Sequence, residues 1–137
     1  MSWLLDTNVL SELRKHDRCD PGVRAWFDGA SADELFTSVL VIGEIRRAVE
    51  SIRSRDVPSA LALDQWLARI GESFQDRVLP VDMHVAERWG RLEGPDPIPT
   101  VDGLLAATAL VHGHTLVTRN VRDVERTGVP LLDPFSG

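Results

Sequence analysis

The chain has 137 residues, 43% hydrophobic and 26% charged, with a net charge of −6; that is the size of one compact domain able to bury a core without covalent staples. Its single cysteine, Cys19, excludes an internal disulfide, and no apolar run approaches the ~18 residues of a membrane span. The acidic balance argues against non-specific binding of nucleic acid, which leaves a basic footprint.

In chain order, residues 2–6 read as a buried strand that ends on a carboxylate, Asp6. Thr7 or Asn8 then caps a short helix reaching about Lys15. "DPGVRAWFDG" places Pro21 at a helix start and Gly29 at its end. "ELFTS" is a short strand. "VLVIGEIRRAVESIRSR" is a helix with Ile42, Ile45, Val49 and Ile52 on one face, and "PSALALDQWLARIGESF" is a second with Leu63, Trp66, Leu67 and Ile70 on its apolar side. "RVLPV" is a strand, and Asp82 caps the helix "MHVAERWGRLEG". "PDPIP" is a stiff loop, since each proline also restricts the residue before it. "TVDGLLAATALVHG" is a small-residue helix capped by Thr100, "TLVT" a strand, "NVRDVERTG" a short helix and "PLL" a last strand. Asp6 and Glu12 interrupt the N-terminal apolar run, so there is no signal-peptide pattern and a cytoplasmic location is expected.

Strands alternate with helices throughout, which favours an α/β fold with a short parallel sheet covered by helices on both faces. The strands are nearly continuously apolar, as strands buried on both faces must be. One domain is expected over residues 1–137. In such sheets ligands bind beyond the carboxyl ends of the strands, and Asp6 stands at that edge. Asp102, in the first turn of its helix, and Asp123, three residues after Asn120 and just past "TLVT", fall at the same edge. Glu44 follows "TSVLVIG", one step from the apolar stripe and partly turned inward. Crowded carboxylates raise one another's pKa. A divalent cation reverses that penalty, and oxygen-only ligands select hard ions such as Mg²⁺ or Mn²⁺. Such a site suits metal-assisted hydrolysis of a phosphodiester. Each acid also has a plainer reading: a turn or capping residue at Asp6, a pair with Arg47 at Glu44, helix-dipole compensation at Asp102, a cap or a pair with Arg126 at Asp123.

Taken together, "LLDTNVLSE", "TSVLVIGEI", "DGLLAATALVHGHTLVTRNVRDVE" and "LLDPF" resemble, in order and spacing over essentially the whole chain, the PIN-domain ribonucleases, and most closely their VapC-type toxins, including the FitB-like branch. The resemblance implies an RNA-cleaving site that binds Mg²⁺ or Mn²⁺. It carries over onto Asp6 and Asp102 as the chief metal-holding residues, with Glu44 and Asp123 acting directly or through water. Some relatives have an acid directly after "TR", where this chain has Asn120; others have asparagine there and an aspartate at the place of Asp123. Thr7, Asn8, Thr118 and Asn120 become hydrogen-bonding residues around the acids. The resemblance further implies a cognate VapB-type antitoxin, a homodimer and a higher toxin–antitoxin assembly. The helices over about residues 38–73 carry more apolar surface than one sheet face needs, and either line an antitoxin groove or a homodimer contact, or pack on each other.

Other features carry less. His112 and His114 form a helix-terminal "HGH" without a cysteine pair, which makes no zinc site. His16 and His84 stand alone, and Trp3, Trp26, Trp66 and Trp89 read as core or interface. Arg46, Arg47, Arg119, Arg122 and Arg126 meet either RNA phosphates or carboxylates of their own helix faces. Two other functions compete. An aspartyl-phosphate phosphohydrolase would want a second aspartate at Asn8 and a nearby lysine, whereas Lys15 is the only lysine. A catalytically silent protein-binding module would keep the fold and lose acids from the site.

Overall fold

The computed structural model describes residues 1–92 and 94–136. Its elements are β1 (Trp3–Leu5), α1 (Thr7–Leu13), α2 (Pro21–Gly29), β2 (Leu35–Ser38), α3 (Val39–Arg53), α4 (Val57–Phe74), β3 (Val78–Leu79), α5 (Met83–Arg91), α6 (Thr100–His112), β4 (Thr115–Val117), α7 (Val121–Val124) and β5 (Leu131–Leu132). The five strands form one sheet in the order β3-β2-β1-β4-β5, every pair parallel. β1 is central, with Trp3 opposite both Leu35 and Thr115, and Leu5 opposite Val117. Strand order reverses at β1, where the chain crosses from β3 back to β4. Right-handed crossovers then place α1 to α4 on one face and α5 to α7 on the other. The packing agrees: α1 lies against α2 and α3, α3 along α4, and α6 against α5 and α7.

The central strands are largely apolar because both their faces are covered. Leu4, Leu5, Leu116 and Val117 are buried on either side of the sheet, as a doubly covered parallel sheet requires. α6 is buried along most of its length through Gly103, Leu105, Ala106, Ala107 and Ala109. Its small residues let α5 approach closely: a Cβ on Gly103 would lie 3.0 Å from Trp89 Nε1. The small side chains set α6 against the sheet with Asp102 at its exposed beginning.

Several sequence expectations change in detail. The cap of α1 is Asp6 itself, whose side chain accepts from Thr7 N–H; neither Thr7 nor Asn8 caps it, because both are already helical. Thr100 is the first residue of α6 and caps nothing; Pro99 occupies the cap position without a side-chain bond. β3 keeps only two residues, since Pro80 has no N–H for a ladder. α5 ends at Arg91; the expected extension to residue 94 crosses Glu93, which lies outside the described residues. The segment after Asn120 is one α-turn followed by a 3-10 turn, Glu125–Thr127. On α3 the buried stripe is Val41, Ile45 and Val49, with Ile42 and Ile52 on its flanks. No described helix is long and apolar enough to cross a membrane.

Candidate functional site

Asp6 leaves β1 at its carboxyl end and is only 5% exposed. It is held there because its backbone N–H continues the ladder to Val117 O at 3.0 Å while its carboxylate caps α1. Three donors fix that carboxylate. Thr7 N–H reaches Oδ1 at 2.7 Å, Thr118 Oγ1 donates to Oδ2 at 2.8 Å, and Asn8 Nδ2 donates to Oδ2 at 3.3 Å. Asn8 also ties the ends of β1 and β4 together, since its Oδ1 accepts from Arg119 N–H at 3.2 Å. Burial raises the Asp6 pKa above the usual aspartate value, and the bonds from Thr118, Thr7 and Asn8 oppose that rise.

Asp102 stands in the first turn of α6, half-buried, with its carboxyl pushed up to about 6. Burial is the largest cause, followed by the negative charges of Asp6, Asp123 and Glu44, and a hydrogen bond shared with Asp123. The four acids, from four separate segments, therefore converge. Glu44 is exposed, not turned inward as its place beside the apolar stripe suggested. Val41 and Ile45 take the core-facing positions of α3 and rotate Glu44 to the solvent side, where Thr7 Oγ1 donates to its Oε1 at 2.6 Å. Asp123 is exposed on the short α7. Asn120 sits at the cap position of α7 without capping it through its side chain; its backbone N–H donates to Thr118 Oγ1 at 3.0 Å.

The ion-pair readings of Glu44 and Asp123 do not hold, whereas Asp6 does act as a cap. The acids that pair with cations are Glu12, Asp28, Glu34, Glu50, Asp64 and Asp96; among the described residues none of the four site acids does. Arg126 pairs with Asp96 at 3.2 Å and not with Asp123. The result is a group of carboxylates, one deeply buried, with no ion pair to a protein cation among the described residues. Among the described residues no three His, Cys, Asp or Glu side chains close into a ready ligand shell. Mg²⁺ takes only one or two carboxylates and keeps its waters, so Asp6 and Asp102 would be enough to hold it. The donor set is all oxygen and fits a hard divalent cation.

The histidines lie elsewhere. His114 is buried beside Ser2 Oγ at 2.5 Å and stacked on Phe36 at 4.4 Å, at the amino edge of the sheet. One residue passed over by the sequence reading is Phe135. It closes the quoted "LLDPF" stretch, and the Arg119 guanidinium lies 4.6 Å from its ring centre. An aromatic just past the last strand, half-buried after a proline, was the available signal.

Known proteins resemble this arrangement as a whole. The family model described as PIN domain matches residues 3–129. The chain is similar to VapC ribonuclease Y4jK of Sinorhizobium fredii, 28% identical over 137 residues that cover 96% of each protein. It is similar to toxin FitB of Neisseria gonorrhoeae, 29% identical over 140 residues covering 96% of this chain and 97% of that one. The crystal structure of FitAcB from Neisseria gonorrhoeae matches with a TM-score of 0.87 at 28% identity, over 96% of this chain and 97% of that one.

Proposed function

The chain belongs to the PIN domain family, and on that premise we propose that it is a divalent-metal-dependent endoribonuclease, the toxin of a toxin–antitoxin pair. The observation that carries the reading is the convergence of Asp6, Glu44, Asp102 and Asp123 without a protein cation among them. Proteins named VapC ribonuclease and toxin FitB, similar over nearly their full lengths, support it.

In this reading Asp6 and Asp102 hold the ion, Mg²⁺ or Mn²⁺. When bound, the ion supplies Lewis acidity that polarises phosphoryl oxygens and makes water reactive near neutral pH. The chain does the rest. Thr118, Asn8 and Thr7 N–H fix the rotamer of Asp6, so its remaining lone pairs point one way. Thr7 Oγ1 anchors Glu44 at the rim, where its carboxylate orients a water for in-line attack on phosphorus. Asp123 completes the acidic wall beside Asp102. Asn120 braces Thr118 through its backbone, so we assign the fourth acidic position to Asp123.

The partner follows from the same membership. A protein that cleaves cellular RNA needs an inhibitor, and we assign this chain a VapB-type antitoxin, action in the cytoplasm, and a homodimer within the larger assembly. α3 and α4 pack along each other, and Trp66, Ile70 and Phe74 of α4 are largely buried. With Leu13 and Phe27 they line an apolar groove of about 230 Å³ suited to a partner segment. One domain over residues 1–137 accounts for the arrangement.

The test is incubation of the antitoxin-free protein with total cellular RNA, with and without Mg²⁺ or Mn²⁺, beside Asp6→Asn. Discrete cleavage that requires metal and disappears in the variant is the expected result. Cleavage that survives the variant, or proceeds equally in chelator, overturns the reading.

A further inference from the structure

We propose that Arg119, seated on the ring of Phe135, grips a phosphate of the RNA beside the acidic site, and that the C-terminal segment exists in part to hold that ring; the inference rests on the nuclease reading. The root of Arg119 is tied to the site. The preceding residue, Thr118, donates to Asp6, and Arg119 N–H donates to Asn8. Its guanidinium is exposed, 4.6 Å from the Phe135 ring centre, and among the described residues it has no carboxylate partner.

Several other arginines are already committed; Arg47 and Arg122, like Arg119, have no carboxylate partner among the described residues, but neither is seated on a ring. Arg46 and Arg53 pair with Glu50 and Asp64. Arg126 is occupied by Asp96 and by the carbonyls of Asp96 and Pro97 at 2.7 and 2.9 Å. Arg77 holds the carbonyls of Ala32, Leu35 and Ser73. A guanidinium stacked on a ring uses its face and leaves the fork of N–H donors open in its plane. That fork is the part that recognises a phosphate bidentately. The need is local: a chain of net charge −6 with an acidic site repels the polyanion it would cut, and a fixed cation at the rim offsets that repulsion where the phosphodiester arrives.

The seat is built. Thr118 N–H donates to Leu132 O at 3.0 Å, which carries β5 out of the sheet beside Arg119. Phe135 N–H donates to Asp133 Oδ1 at 3.0 Å and turns the chain. Ser136 N–H and Oγ donate to the Asp20 carboxylate at 3.0 and 2.7 Å, the same carboxylate that caps α2 through Gly22 and Val23. Gly22 is required by this closeness, since a Cβ there would lie 2.4 Å from Pro134 O. These bonds are made by backbone, serine and aspartate; none needs an aromatic side chain at 135, and the stack on Arg119 does.

The experiment measures anisotropy of a fluorescein-labelled, random-sequence single-stranded RNA in chelator, across a salt series, and then cleavage kinetics with Mn²⁺. Arg119→Ala is expected to weaken binding about tenfold and to lower the slope of log affinity against log salt by about 0.7, the loss of one single-strand phosphate contact. It should raise KM and leave kcat nearly unchanged. Phe135→Leu, similar in bulk but without a π face, is expected to weaken binding about threefold, and Phe135→Tyr to restore it. Unchanged affinity and slope in Arg119→Ala, or equal losses in Phe135→Leu and Phe135→Tyr, overturn the inference while wild-type cleavage upholds the nuclease reading. A wild-type chain that neither binds nor cuts RNA overturns both. Thermal midpoints identify a misfolded Phe135 variant, in which case Arg119→Ala decides.

Discussion

Two groups of acids in this molecule use the same residue types to opposite ends. On the outer face of α3 and α4, Glu50 and Asp64 stand among Arg46 and Arg53, with Arg46 reaching Asp64 at 2.8 Å and Arg53 reaching Glu50 at 3.0 Å. Hydrogen bonds from the arginines hold both carboxyls below their usual range. At the carboxyl edge of the sheet Asp6 and Asp102 have no such partner; burial holds both above it, and at Asp102 the neighbouring carboxylates add to the rise. The first cluster is neutralised by the chain and asks for nothing further. The second stays in deficit by one cation, and the fold maintains that deficit by surrounding Asp6 with neutral donors from Thr118, Asn8 and the Thr7 backbone.

The contrast is broken most severely at Asp6. Asp6→Asn keeps an acceptor for the α1 cap yet removes the charge, and metal-dependent RNA cleavage is expected to fall by about 10²–10³-fold, measured as single-turnover rates; a rate within threefold of wild type would remove Asp6 from the site. Next in size is the scaffold around it. Thr118→Val and Asn8→Ala are each expected to lower metal affinity by roughly 10–100-fold, read by titrating Mn²⁺ against the thermal midpoint.

A smaller, sign-specific effect belongs to Asp102. Its folded-state pKa of about 6 lies above the reference value of 3.8, so the native state binds more protons than the unfolded chain between those values. The associated stability is complete below pH 3.8 and is lost as pH rises through about 6. In chelator, Asp102→Asn should therefore gain stability over wild type at pH 7 and lose that advantage towards pH 4, followed by urea midpoints. Added Mg²⁺ should raise the wild-type midpoint at pH 7 and leave that of Asp102→Asn nearly still. The smallest effect is expected in the other cluster: Asp64→Asn should leave cleavage unchanged and lower the thermal midpoint only slightly, because exposed ion pairs are screened by water. Loss of cleavage there would erase the distinction between the clusters.

The difference between the clusters was only partly legible in the sequence. "LLDTNVLSE" and the run from Asp102 through "TLVTRNVRD" announced acids at the ends of apolar strands, and the strand–helix alternation announced the parallel sheet. The partnerships were not legible. Glu44 could equally have faced Arg47 one turn away, and Asp123 could have faced Arg126, because i, i+3 and i, i+4 neighbours on a helix are always within reach. Packing decided otherwise: Val41 and Ile45 took the inner face of α3, and Arg126 was drawn to the loop at Asp96. The cap of α1 was misread for a similar reason, since Asp6, Thr7 and Asn8 are all good cap residues and only the ladder bond from Asp6 to Val117 settles where the strand stops.

By itself, then, the sequence determined the chemistry available and its order: short apolar strands, helices between them, three carboxylates placed where strands end or helices begin, and a fourth, Glu44, inside a helix. The tertiary structure alone decided which of those carboxylates share a space and which side chains serve them. Thr118 and Asp6 are 112 positions apart and meet because β4 pairs with β1 at the reversal in strand order. That pairing is set by burial of both sheet faces at once, a property of the whole packed chain and not of any one of its segments.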